Sequence, residues 1–152
     1  MSDHTLTCFV EVPSPQTSTL KGDLHADFLA EGPEPVNIIR CDQAATVRVK
    51  IDFSGTALAR LLCLEWCIKV AFESCGPAVE TALPVVKRVQ TVCREPYIVV
   101  EIPIPPRYFP CDSAECGNIF ELCVTAVAFD LCGTPAPFAG YCRGGTIMVF
   151  PA

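Results

Sequence analysis

The sequence predicts an all-β protein: a two-sheet β-sandwich or jelly roll, stapled by disulfides and carrying an N-terminal strand as an arm. Three observations predict it. Apolar residues alternate with period two in most of the segments that contain them, the signature of strands buried on one face. Clusters of Gly and Pro separate those segments, drawing on 9 Gly and 14 Pro. Cysteine is abundant, with 11 in 152 residues spread along the whole chain. A chain of this length is one domain and buries enough surface to fold without metal or disulfides.

The strands follow in order. Thr5–Val12 places Leu6, Cys8, Val10 and Val12 on one face. Pro13–Lys21 (PSPQTSTLK) reads as a hinge, so residues 1–20 form a strand and arm, and residues 21–152 form the sandwich. Such an arm is expected to be dispensable for folding. Asp23–Ala30 turns Leu24, Ala26 and Phe28 one way and His25 and Asp27 the other. Thr46–Phe53 is the clearest case, with Val47, Val49, Ile51 and Phe53 opposite Arg48, Lys50 and Asp52. Ala57–Ser74 has a composition that also suits a helix, capped by Ser54 or Thr56. With period two, however, Leu62, Leu64, Trp66, Ile68, Val70 and Phe72 share a face, which predicts a strand over 62–73. Tyr97–Ile104 alternates again, and Pro103, Pro105 and Pro106 place its end at a sheet edge. Phe120–Phe129 is apolar on both faces, as in a strand buried twice. Gly133–Gly140 and Gly144-Gly145 read as turns, and Thr146–Phe150 as a short closing strand.

The cysteines decide what chemistry the chain supports. There is no C-x2-C, and the spacings Cys63-x3-Cys67 and Cys111-x4-Cys116 do not make a zinc signature with only His4 and His25 to complete it. An odd number leaves at least one thiol free, ligating, or bridging to another chain in an oxidising setting. If 62–73 is a strand, Cys63 and Cys67 lie about 13 Å apart, too far for a disulfide. Loop closure suggests three pairs, Cys75 with Cys93, Cys111 with Cys116, and Cys132 with Cys142. Cys8, Cys41, Cys63 and Cys67 remain as candidates for bridges between subunits, Cys8 foremost because it precedes the hinge. The alternative for all of them is the buried thiol of an intracellular protein, packing as a small hydrophobe.

No catalytic signature is present. Neither a nucleophile elbow, a phosphate-cradling glycine loop, a zinc-protease helix nor an EF-hand occurs. No cofactor motif is found. His25 falls on a polar strand face, and Glu65, Glu73 and Asp52 alternate with basic residues as in a solvated, ion-paired face. Asp112, Glu115 and Asn118 offer calcium-type oxygens in one loop. Trp66, on an apolar face, reads as core before it reads as a sugar platform. The net charge of −6 argues against nucleic acid and anionic membranes as partners. No apolar run is long enough to span a bilayer as a helix.

Trp66, Val70, Phe72-Glu73-Ser74, Gly76-Pro77, Glu80 and Leu83-Pro84, with Phe120-Glu121-Leu122 and Gly133-Thr134-Pro135-Ala136-Pro137-Phe138-Ala139-Gly140, resemble small uncharacterised bacterial β-sandwich domains over roughly residues 62–150. The resemblance implies a sandwich and carries no catalytic residues. By architecture the chain also looks like Cys-bearing, self-assembling bacterial appendage subunits, an analogy of fold that does not by itself imply function.

These features combine into one expectation: a structural subunit, not an enzyme, that polymerises with itself into an extracellular fibre, appendage or coat on a cell or spore surface. Addition of the N-terminal strand to a neighbour's open sheet edge would supply the contact, with disulfides within and between chains. Met1–Thr5 begin no secretory signal, which leaves the cytoplasm as the other location. Two alternatives stand beside it, a sandwich that binds glycan or protein through its loops, and an intracellular Cys-rich metal protein.

Overall fold

The computed structural model describes residues 6–11, 22–52, 64–75, 85–90, 97–111, 118–130 and 132–152. Within them lie nine strands and no helix: β1 (Leu6–Glu11), β2 (Gly22–Leu29), β3 (Ile38–Arg40), β4 (Ala45–Asp52), β5 (Glu65–Ser74), β6 (Val85–Gln90), β7 (Tyr97–Ile104), β8 (Asn118–Phe129) and β9 (Pro135–Phe150). Their hydrogen-bonded order is β6-β5-β8-β9-β1-β2-β4-β7, with β3 added in parallel to the end of β9. The ladder folds over on itself into a β-sandwich-like fold. Inward residues of β5, β8 and β9 meet those of β2, β4 and β7 in one hydrophobic cluster. At the far ends of the order β6 approaches β7, and Lys87 Nζ donates to the Glu101 carbonyl at 3.1 Å.

Period-two alternation fills this core directly. Val47, Val49 and Ile51 of β4, Trp66, Ile68 and Val70 of β5, and Val124, Ala126 and Ala128 of β8 are all fully buried. Trp66 is therefore core and no sugar platform. Of the 62–73 segment, residues 65–73 are strand. β7 is the terminal strand of the ladder, which is why Pro103, opposite Thr46, costs no hydrogen bond on a second side.

Four features differ from the pattern in the sequence. β8 is central, but its second face is covered only at Cys123, while Ile119 and Val127 are exposed. The turns expected at 133–140 and 144–145 are part of β9. Its sixteen residues stay paired because the ladder slips twice. Leu122 opposes Gly145 and Cys123 opposes Arg143, leaving Gly144 as a bulge. Val127 opposes Ala139 and Phe129 opposes Pro135, so a second irregularity absorbs the Pro-rich stretch. β3 and β6 are strands with no clear alternation in the sequence. Finally, β1 is no free arm. It lies inside its own chain's sheet, antiparallel to both β2 and β9. The turn that does survive is Asp130–Thr134, closed by Gly133 at φ 83°, a conformation that L side chains rarely adopt.

Candidate functional site

The two outer faces of the sandwich differ in chemistry. On β2-β4-β7 the registered rows are Asp23, Asp52 and Tyr97; His25, Lys50 and Val99; and Asp27, Arg48 and Glu101. Arg48 bridges to Glu101 at 3.1 Å and Lys50 to Asp52 at 3.3 Å, and Lys50 Nζ sits 5.1 Å from the Tyr97 ring centroid. Exposed pairs of this kind contribute little each, and the face is the solvated, ion-paired surface expected. On β5-β8-β9 the rows are Cys67, Val127 and Ala139; Lys69, Thr125 and Tyr141; Ala71, Cys123 and Arg143; and Glu73, Glu121 and Thr146. This face carries few charges and two thiols. Glu73 and Glu121 stand directly opposite each other, and Arg143 spans them at 3.0 and 3.1 Å. Without that guanidinium two like charges would face one another across the ladder.

The sulfur chemistry separates into distinct environments. Cys41 and Cys111 form a disulfide with Cα atoms 5.3 Å apart and a sequence separation of 70. Cys142 is also disulfide-bonded and is buried. Cys67, Cys75, Cys123 and Cys132 are free thiols. These facts correct the expected pairs. Cys111 bonds Cys41 and not Cys116, because the chain after β7 folds back onto the corner after β3: Arg107 N–H donates to the Cys41 carbonyl at 2.9 Å. Cys41 is consequently no bridge to another subunit. Cys132 is not bonded to Cys142, since the strand they were expected to close as a loop runs straight between them. Cys75 is free, so it is not bonded to Cys93. Cys63, Cys93 and Cys116 lie outside the described residues, as do Asp112 and Glu115 of the calcium reading and His4. Among the described residues no group of three or more His, Cys, Asp and Glu side chains is placed to hold a metal ion.

The four thiols differ in access. Cys75 and Cys132 are exposed, Cys67 is half-buried and Cys123 is buried. Cys75 follows β5, and its N–H donates to the carbonyl of Ile119 at the start of β8. Cys132 lies just beyond the other end of β8. Its N–H and that of Thr134 both donate to Asp130 Oδ1, at 2.9 and 2.8 Å, which holds the turn that presents it. At about 3.3 Å per residue, β8 sets these exposed thiols on the order of 30 Å apart, at its opposite ends. Cys123 sits between Ala71 and Arg143. Burial, followed by the negative charge of Glu73, pushes its thiol above the ordinary range, so it stays protonated and slow to react.

Alkylation of the native protein with iodoacetamide should therefore modify Cys75 and Cys132 first. Cys123 should lag by roughly tenfold or more, as a buried thiol with a raised pKa does, until denaturant exposes it. Peptide mass spectrometry over a time course checks this order. Equal rates for Cys123 and Cys75 would contradict the placement of the former.

The sequence singled out Cys67 and the end cysteines by position. It gave no sign that Cys123 is buried beside Arg143, or that Cys75 and Cys132 mark opposite ends of one strand, because both depend on the register of β8. No family model, no curated protein and no solved structure matches the chain.

Proposed function

We propose that this protein is a structural subunit that assembles with copies of itself and is cross-linked through its exposed cysteines. The observation that carries the reading is the pair of free, exposed thiols, Cys75 and Cys132, at opposite ends of β8. A subunit with one reactive group at each pole joins head to tail, and a head-to-tail contact that does not close on itself grows into a filament. In forming the link, the two thiols of adjoining subunits lose two protons and two electrons and gain one S–S bond. The electrons pass to dioxygen or to a small-molecule disulfide such as oxidised glutathione. The buried Cys41–Cys111 bridge suits the same oxidising setting, in keeping with a place outside the cell or on a cell or spore surface. The sandwich, stapled internally and reactive at its ends, is the rigid spacer of such a polymer, and no catalytic role or cofactor is assigned to it.

The test is non-reducing electrophoresis of the full chain after incubation with oxidised glutathione. Wild type should give a ladder that collapses with reductant. Cys75→Ser and Cys132→Ser alone should stop near the dimer, and the double variant should run as a monomer. An undiminished ladder in the double variant would overturn the proposal.

A further inference from the structure

The outward row of β5 is complementary to its own reverse. Cys67, Lys69, Ala71, Glu73 and Cys75 occupy every second position, with Trp66, Ile68 and Val70 buried between them. The thiols are symmetric about Ala71, Cys67 four residues before it and Cys75 four after. The charges are opposed about it, Lys69 two before and Glu73 two after. Both thiols are free. Lys69 is exposed and makes no ion pair among the described residues. β8 carries the same symmetry about Cys123, the residue that registers with Ala71. Ile119 and Val127, 40% and 38% exposed, stand four residues to either side of it.

A second copy turned about a two-fold axis that lies between the faces and crosses the strands at Ala71 and Cys123 meets this pattern throughout. β5 lies over β5 and β8 over β8, each running the other way. Lys69 of each copy faces Glu73 of the other, Cys67 faces Cys75, and Ile119 faces Val127, apolar against apolar. At the axis Ala71 is small and Cys123 is buried, so neither holds the faces apart. Arg143 lies near the axis with its charge already matched by Glu73 and Glu121. Opposite charges that meet in one orientation only fix the register of a contact and reject others. The overlapping face is about 26 Å long and three strands, or about 15 Å, wide. That is on the order of 400 Å² per copy, half of a standard interface, so the contact is weak until a covalent bond closes it.

We propose that the outer face of β5-β8-β9 docks on the same face of a second copy of this chain, related by that two-fold axis, and that bonds from Cys67 of each copy to Cys75 of the other close the pair. This rests on the self-assembly reading above and names the contact that precedes cross-linking. In each bond two facing thiols lose two protons and two electrons, which convert one oxidised glutathione into two reduced molecules. A disulfide can join sheets stacked about 10 Å apart, as it does in antibody domains. Within one chain the bond is excluded, because the strand holds Cys67 and Cys75 about 26 Å apart, far beyond disulfide reach. Cys132 lies beyond the overlap at both ends of the pair, so pairs become the units that this thiol joins.

The experiment incubates the full chain at high concentration with oxidised glutathione, quenches with iodoacetamide and digests with chymotrypsin without reduction. Cleavage after Trp66 and Phe72 places the two cysteines in separate peptides. Mass spectrometry should find them linked. Lys69→Glu sets Glu against Glu73 of the other copy, and Glu73→Lys sets Lys against Lys69. Each variant alone should form the link about tenfold or more slowly. An equal mixture of the two restores opposite charges at both contacts and should recover most of the wild-type rate, which also shows that both variants are folded. Absence of the link in wild type, or a rate indifferent to the charge reversals, overturns the proposal. Non-reducing electrophoresis of the same samples separates the two readings. A ladder without the Cys67–Cys75 peptide defeats the face-to-face pair alone, whereas the peptide in a species that stops at the dimer defeats polymerisation alone.

Discussion

Replacing both Cys41 and Cys111 with Ala is expected to destabilise the fold by about 4 kcal/mol, the chain-entropy value for a bridge closing a loop of this length. For a chain of this size that corresponds to a fall in Tm on the order of 10 °C. The argument starts from where the bridge lies. Cys41 follows β3, and its N–H donates to the Phe150 carbonyl at the end of β9 at 2.8 Å. Its own carbonyl receives Arg107 N–H. The disulfide thus ties together the corner after β3, the end of β9 and the segment that leaves β7. Arg107 sits at φ 61°, in the left-handed region, which costs a non-glycine residue about 1–3 kcal/mol unless its surroundings hold it there. The bridge four residues later is part of what holds it. Urea unfolding of wild type and the double variant, each followed by tryptophan fluorescence from buried Trp66, measures the difference. A loss below about 1 kcal/mol would mean that the unfolded chain gains little freedom when the bridge is cut, contrary to the chain-entropy account.

That bridge also shows where the sequence stops being legible. β4 and β7 can be read almost to the residue, because one buried face and one wet face impose strict alternation on Val47–Ile51 and Ile98–Ile104. Trp66, Ile68 and Val70 are recognisable as core for the same reason, despite a composition that also suits a helix. β9 is not readable in its first half, since Pro135, Pro137 and Gly140 satisfy every rule for a loop. They are accommodated only because the ladder slips against β8, a property of two strands together. Disulfide pairing is less visible still. Proximity along the chain favours Cys111 with Cys116, whereas the fold brings Cys111 to Cys41 through the return of the chain after β7. The exposed end thiols have the same status. Cys75 and Cys132 each stand beside a glycine like many loop cysteines, and only the length and register of β8 make them opposite poles.

These two layers of sulfur chemistry have different physical tasks. A bridge buried at one corner restricts the unfolded chain and contributes to folding stability. A free thiol at an end of β8 contributes nothing to it. In the proposed assembly, an oxidant that completed both sets, the internal bridges within the subunit and external ones between subunits, would convert a folded monomer into a covalent polymer without changing its architecture.

Phe109→Ala is expected to cost about 3–5 kcal/mol, the range for truncating a buried phenylalanine. Phe109 is 3% exposed and closes one end of the sandwich. Its ring centroid lies 4.8 Å from that of Phe72 on β5, 5.0 Å from Phe120 on β8, 5.2 Å from Tyr108 and 6.5 Å from Phe28 on β2. Most of these contacts are edge-to-face, the arrangement favoured by the ring quadrupole. One residue outside the regular strands therefore joins aromatic side chains from both layers, and it stands two residues before Cys111. The disulfide pre-organises the segment that carries this ring, so the two should be coupled. In the protein lacking both Cys41 and Cys111, Phe109→Ala should cost less than in wild type, by about 1 kcal/mol or more, as residues sharing one backbone segment do. A double-mutant cycle by urea unfolding measures the coupling. Additivity within about 0.5 kcal/mol would show that the aromatic plug seats itself without the bridge, leaving the disulfide to act on the unfolded chain alone.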